Sequence, residues 1–293
     1  MVLTVQAAKF FGHGSGTQTV AKMFAGLALS MAAVAGMQSA QAQTTVKEGV
    51  LTVGTDLTYP PYAYFDNKVP AGFDPDFSHL MAKKLGLKAD ILDTRFADLV
   101  LGLRANRFDM VASALYVTPE RAKQIDYVPY LKTGSSLIVL NSSKASPAVP
   151  ADLCGMKVST IKAASWTPKL TAVSDTTCKE AGKQPIRIME FPTSPEALLA
   201  LKSGAADAMM EDAAVSHQMA TEMKDDIKVT SNGLIYPIVI GLGVNKNKPE
   251  LRDALSKALA DARDSGEYQA LLDKYGLDAP TAQEIKDSLA PKQ

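Results

Sequence analysis

The chain has 293 residues, 46% of them hydrophobic, with 31 Lys plus Arg against 31 Asp plus Glu. That balance excludes nucleic acid or an anionic membrane surface as partner and favours a small molecule, while the length suits one large domain or two of ordinary size. Two cysteines and three histidines do not take up the spacings of a zinc site, and no Ser-His-acid arrangement, phosphate-binding glycine loop or pair of catalytic carboxylates stands out, so neither metal nor cofactor is expected. Residues 1–42 hold no Asp or Glu, carry Lys9 and Lys22, and run through an apolar stretch at 23–36 into Ala40-Gln41-Ala42. This pattern predicts a secretory signal peptide, too short to span a membrane as a helix of about 20 residues and cleaved after Ala42; a later start at Met23 stays open. No cysteine follows the apolar stretch, so a lipid anchor is not expected and the mature chain should be free outside the cytoplasm.

Strand and helix signals then alternate. Residues 50–54 read as a strand, ending in a loop at 55–62 where Pro60 and Pro61 forbid continued pairing. Asp74 has N-cap chemistry for a helix with Phe77, Leu80, Met81 and Leu85 at helical spacing and Gly86 as its stop. A strand at 89–92 precedes a helix with Phe96, Leu99, Val100 and Leu103 on one face. The stretch 108–116 reads as a buried strand running into a helix start, with Thr118 as N-cap and Pro119 at the first helical position. Arg121 would then stand in the first turn, where the macrodipole disfavours a cation, unless an anion joins it. One reading is a carboxylate receptor made by a planar guanidinium. The other is a surface pair with Glu120 or Asp126, worth about 0 to 1 kcal/mol.

Cys154 and Cys178 are the only cysteines, and in an exported chain they predict a disulfide. The apolar runs 136–140 and 237–244 read either as hinge strands joining two lobes across a cleft or as two core strands of one sheet. Residues 96–111 and 194–210 share one pattern of helix, polar turn, aspartate and apolar strand, which suggests two α/β lobes of similar construction.

Val53-Gly54-Thr55-Asp56 with Tyr59-Pro60-Pro61-Tyr62, then Gly72-Phe73-Asp74-Pro75-Asp76, then Phe108-Asp109 leading to Thr118-Pro119-Glu120-Arg121, form an ordered set. The set resembles the amino-acid-binding family of extracytoplasmic solute-binding proteins that serve ABC importers, over residues 51 to about 276. The resemblance implies an α/β, two-lobe periplasmic-binding-protein (type II) fold with two hinge crossings and a ligand cleft between lobes. Lobe 1 would take residues 43–135 and 242–293, and lobe 2 residues 136–241. It further implies a periplasmic, monomeric clamp that closes over an amino acid and docks on an inner-membrane permease.

Carried over to matching positions, Arg121 would hold the ligand α-carboxylate with Ser113 beside it, Tyr59 and Phe96 would sandwich the ligand, and Asp56 would reach its side chain. Asp212 would accept from the α-ammonium; its alternative role is capping a helix at 213–219. The alternative role of Asp56 is to hold the turn before the prolines, and that of Tyr59 and Phe96 is to be core. Two departures from the family pattern stand out. Tyr116 replaces the usual Ser or Thr five residues before the arginine, and Ala163-Ala164-Ser165 with Trp166 replaces a Gly-Thr/Ser-Thr/Ser motif. Tyr116 and Trp166 would reshape the pocket, with Ser165 still able to donate. An alternative on the same fold is a cyclohexadienyl or arogenate dehydratase-like enzyme, with Glu190, Glu211 or His217 as its acid.

Overall fold

The computed structural model describes Gly12 and residues 45–290; the signal-peptide reading falls outside them. In chain order the elements open with strands β1 (Val50–Thr55), β2 (Thr58–Tyr59), β3 (Ala63–Asp66) and β4 (Val69–Ala71), helix α1 (Phe73–Lys84), β5 (Lys88–Asp93), α2 (Leu99–Arg104) and β6 (Met110–Val111). They continue with α3 (Pro119–Ala122), β7 (Ile125–Leu140), β8 (Lys157–Ile161), α4 (Thr167–Val173), β9 (Arg187–Phe191), α5 (Ser194–Lys202) and β10 (Ala208–Asp212). The last are α6 (Ala213–Glu222), β11 (Ile227–Val229), β12 (Ile235–Asn245), α7 (Pro249–Asp264), α8 (Glu267–Tyr275) and α9 (Ala282–Leu289).

One sheet has the order β5-β1-β6-β12-β7-β10-β8-β9, with β11 on β7, and β2-β3-β4 form a small second sheet. The pairs β1/β5, β1/β6, β8/β9 and β8/β10 are parallel, whereas β7 and β12 run antiparallel to each other and to their other neighbours. Two βα halves are thus joined by one long antiparallel ribbon. The apolar run 237–244 belongs to this ribbon, pairing within residues 126–133 of β7, whereas the run 136–140 continues β7 beyond it and pairs with β10 and β11. The ribbon's ladder skips between Ile235 and Ile238, where Tyr236 has φ +52 and Pro237 has no N–H to donate. Opposite this skip lies Gly134, whose missing side chain leaves room for Leu234 Cβ, 2.8 Å from where a Cβ would stand.

The repeat seen in the sequence yields the same device twice. Asp109, just before β6, accepts from Thr52 N (2.9 Å) and Thr52 Oγ1 (2.6 Å) on β1. Asp207, just before β10, accepts from Lys157 N (2.8 Å) on β8. In both halves an aspartate ties its strand to the neighbouring parallel strand and satisfies a backbone donor there.

Helix α1 buries Phe73, Phe77 and Met81 on one stripe, and Phe77 stacks on Tyr130 of β7 at 5.0 Å. Its cap differs from expectation: Gly72 is the N-cap, with no side-chain bond. The carbonyls of Pro61 and Tyr62 take the N–H groups of Phe73 (3.1 Å) and Asp74 (2.8 Å). Such close approach demands glycine, since a Cβ at Gly72 would lie 2.5 Å from Tyr62 O and φ is +110. With the first-turn donors so satisfied, Asp74 is released to accept from Ala114 N (2.9 Å) and the Tyr130 hydroxyl (2.5 Å), tying the helix to the loop that carries the site. The disulfide joins Cys154 and Cys178 with Cα atoms 5.4 Å apart.

Candidate functional site

The chemistry-bearing residues gather at the C-terminal ends of the parallel strands, where an α/β sheet leaves its crevices. Phe96 follows β5, Ala114 and Tyr116 follow β6, and Ala164, Ser165 and Trp166 follow β8. Together with Tyr59, Arg121 and Ile161 these line a cavity of about 10 Å³, room for about one water. A cleft of about 900 Å³ runs on from it and shares Arg121 and Ser165.

Three side chains cross from the walls built by β1–β6 to the walls built by β8–β10. Arg121 donates through Nη1 to Tyr116 O and through Nη2 to Ala163 O, both at 3.0 Å, and its guanidinium lies 5.3 Å from the centre of the Phe96 ring. The Tyr59 hydroxyl donates to Glu211. The Tyr116 hydroxyl lies 2.5 Å from Asp212 Oδ2 and 2.9 Å from Gly134 O. Trp166 is buried, its Nε1 donating to Thr160 Oγ1 at 2.7 Å, with its ring edge-on to Tyr116. Ala163 is held at φ +65, a conformation that favours glycine, which is the residue the motif usually places there.

Both carboxylates behind these tyrosines are fully buried. Asp212 caps α6 through Ala214 N (2.8 Å) and Val215 N (3.4 Å) and also accepts from Thr133 Oγ1 (2.9 Å); burial pushes its acid up from the ordinary value. Glu211 accepts from Ser194 Oγ (2.5 Å) and Asp212 N (2.9 Å), and burial holds its carboxyl at about 7 against an ordinary 4.5. Burial also lowers the Arg121 guanidinium below its ordinary value.

The sign of the resulting pH dependence is fixed. The unfolded chain releases the Glu211 proton near pH 4.5 and the folded chain keeps it to about pH 7, so the folded state binds more protons between and stability falls as pH rises through that window. Asp74, raised by burial from 3.8 to about 7, acts in the same direction. The urea midpoint should therefore drop between pH 5 and pH 7.5, and Glu211→Gln should flatten that drop. A midpoint that rises over the window, or an unchanged slope in the variant, would contradict the assignment.

Of the residues singled out from sequence, Tyr59, Phe96, Tyr116, Arg121, Ser165 and Trp166 line one cavity. Asp212 stands behind Tyr116. Asp56 and Ser113 lie aside: Asp56 accepts from Thr58 Oγ1 (2.7 Å), Phe96 N (2.8 Å) and Arg95 Nη1 (2.9 Å), and Ser113 Oγ accepts from Asp56 N (3.0 Å). They hold the loops that carry Tyr59 and Phe96. Helix α3 has only four residues, too short for a sizeable macrodipole, so the two carbonyls, not a helix terminus, set the place of Arg121. Thr118 caps it as expected, accepting from Arg121 N. Sequence reading missed Glu211 as the acceptor for Tyr59, because nothing local distinguishes a buried acid at a strand end from a solvated one. His217 and Glu190 are exposed.

Fold and site define a two-lobe α/β protein in which Arg121 stands among aromatic rings in the small cavity. The chain belongs to the bacterial extracellular solute-binding proteins, family 3, whose model matches residues 51–278. It is similar to the L-cystine-binding protein TcyJ of Escherichia coli (strain K12), at 26% identity over 233 residues that cover 78% of this chain and 84% of that protein. The structure of an ancestral arginine-binding protein bound to arginine is similar with a TM-score of 0.71 and 30% identity, covering 78% of this chain and 98% of that one. The ancestral amino acid-binding protein AncCDT-1, a precursor of cyclohexadienyl dehydratase, is similar with a TM-score of 0.65 and 29% identity, covering 78% and 95%.

Proposed function

We propose that this chain is the periplasmic substrate-binding component of an ABC importer and takes an amino acid or a close relative between its lobes. The observation that carries the reading is Arg121, stationed in the cleft with its guanidinium shared between the two walls. Two of its five N–H groups go to carbonyls, and a ligand carboxylate offers the remainder a charged, planar acceptor. Tyr59 and Phe96 flank the bound molecule, Ser165 donates from the opposite wall, and Trp166 with Tyr116 limits its size. Asp56 and Ser113 support the first wall from behind. An amino group reaches Asp212 only by displacing the Tyr116 hydroxyl.

The lobes divide as 43–135 with 242–293, against 136–241. The switch of β7 from pairing only with β12 to pairing with β10 at Ser135 supports the first crossing, and the skip at Tyr236 and Pro237 draws the second a few residues earlier in the chain. The protein acts as a monomer, is exported by a cleavable leader without a lipid anchor, and delivers its ligand to an inner-membrane permease. It is a binding protein, not an enzyme, in keeping with its family and with relatives named for what they bind.

A thermal-shift screen against amino acids, their 2-oxo and N-methylated relatives, and unrelated sugars tests the reading. Ligands of the first three groups should raise the melting midpoint in proportion to the logarithm of their concentration. A response to sugars alone would refute it.

A further inference from the structure

The repeat that sets Asp109 against Asp207 also matches residues that neither core uses. In that register Asp98 falls on Glu196, Leu101 on Leu199 and Arg104 on Lys202. All six are exposed, so α2 with the turn before it, and α5, each carry an acid, a leucine and a base in the same order along the solvent side. The charges have partners at home: Glu196 closes a cap with Thr193, Lys202 pairs with Asp226 at 2.7 Å and Arg104 donates to Gln124 at 3.1 Å. The leucines have no such role. Each is 66% exposed, the highest value of the exposed large apolar side chains among the described residues, while Leu99 and Leu103 of α2 and Ala197 and Leu201 of α5 are buried. A single exposed leucine is ordinary. The same leucine at the same place in both halves, over differently composed buried faces, is a property of the surface.

Placement adds a second observation. β5 and β9 are the two ends of the long sheet; α2 follows the first and α5 the second. Both segments also start at the site, since Phe96 lines the cavity and Ser194 Oγ donates to Glu211, the acceptor of the Tyr59 hydroxyl. The two stripes thus stand one on each proposed lobe, as far apart in strand order as the sheet allows, and their separation changes when the lobes turn. Neither leucine lines the cavity or the cleft. A partner that meets both stripes must present one kind of socket twice, which two copies, or two homologous subunits, related by a two-fold do.

We infer that Leu101 and Leu199 are paired docking points, one for each of two equivalent subunits in the membrane part of the importer, with the acid and base beside each leucine setting its register. The inference rests on the receptor reading above and names the surface through which its partner would tell the closed protein from the open one. Each leucine fills an apolar socket, and the exposed charges at the rim steer approach more than they add affinity. A cation in place of either leucine would enter that socket unpaired, which is unfavourable.

Photocrosslinking in intact cells of the source bacterium, with p-benzoylphenylalanine placed in the full-length protein at position 101, at 199 or at the exposed Val149, reads the contacts directly. Positions 101 and 199 should each link to an integral inner-membrane polypeptide that mass spectrometry identifies as a permease subunit, at least tenfold above position 149. Leu199→Arg should reduce the link from 101 at least fivefold, and Leu101→Arg the link from 199. Links from one position only, an equal yield at 149, links to a second copy of this chain, yields that the arginines leave unchanged, or no links at all would overturn the inference. Purified Leu101→Arg and Leu199→Arg proteins should keep the wild-type thermal-shift response to each of the twenty common amino acids. A wild-type response to sugars alone removes the receptor reading, whereas crosslinks that fail while the amino-acid response persists remove only this inference. The comparison with position 149 holds whether or not the arginine variants fold.

Discussion

Truncating Arg121 to Ala should cost about 2 to 5 kcal/mol of ligand affinity, the range for removing one partner of a desolvated charge pair, while the protein stays folded. The fold tolerates the change because Arg121 is half-buried in a one-turn helix and makes its bonds to carbonyls at the cleft, not in the core. Two losses combine in the binding step. The carboxylate forfeits its charged donors, and the closed arrangement forfeits the link between Tyr116 O and Ala163 O, so closure is worth less when the ligand is in place. Calorimetry with a ligand from the screen and with its carboxamide separates these losses. Wild-type protein should prefer the acid strongly, whereas Arg121→Ala should bind acid and amide within a few fold of each other. Normal affinity in the variant would refute the carboxylate assignment.

Removing the disulfide should have the next largest effect. Cys154 and Cys178 are 24 residues apart in sequence, and a link of that span restricts the unfolded chain enough to contribute about 2 to 4 kcal/mol. Cys178 is fully buried with Leu153 and Leu170 in the same core, so the double variant Cys154→Ser, Cys178→Ser would add the cost of buried hydroxyls; Cys→Ala at both sites is the cleaner comparison. Urea denaturation of the oxidised wild type, the reduced wild type and the double Ala variant should rank the first above the other two. Equal midpoints for all three would mean that the link contributes nothing.

What the sequence made legible was local. The strand at 50–54, the helix stripe through Phe77 and Met81 and the Thr118 cap rest on periodicity and on residues a few positions apart, and those cues survive folding. Arg121 was legible as a cation out of place in a first turn, with a local pair to Glu120 or Asp126 left open, and what holds it is two carbonyls, Tyr116 O and, 42 residues away, Ala163 O. Asp74 was misjudged as a cap because its true partners, Ala114 and Tyr130, are 40 and 56 residues distant. The same holds for Glu211, whose partner Tyr59 is 152 residues away. Tyr116 marked a departure from the family pattern in sequence, but only the fold shows that its hydroxyl lands on Asp212. Side chains whose meaning is set by distant partners form most of this site, and that is where residue patterns stop being informative.

The skip in the ribbon at Tyr236 and Pro237, facing Gly134, has a mechanical consequence. A pair of hydrogen-bonded strands resists sliding but bends where rungs are missing, so the skip is where the proposed lobes are expected to turn against each other. Thr133, one residue from Gly134, is then expected to move little and to keep its bond to Asp212. The leverage of each contact, more than its intrinsic strength, then sets the order in which the cleft comes undone.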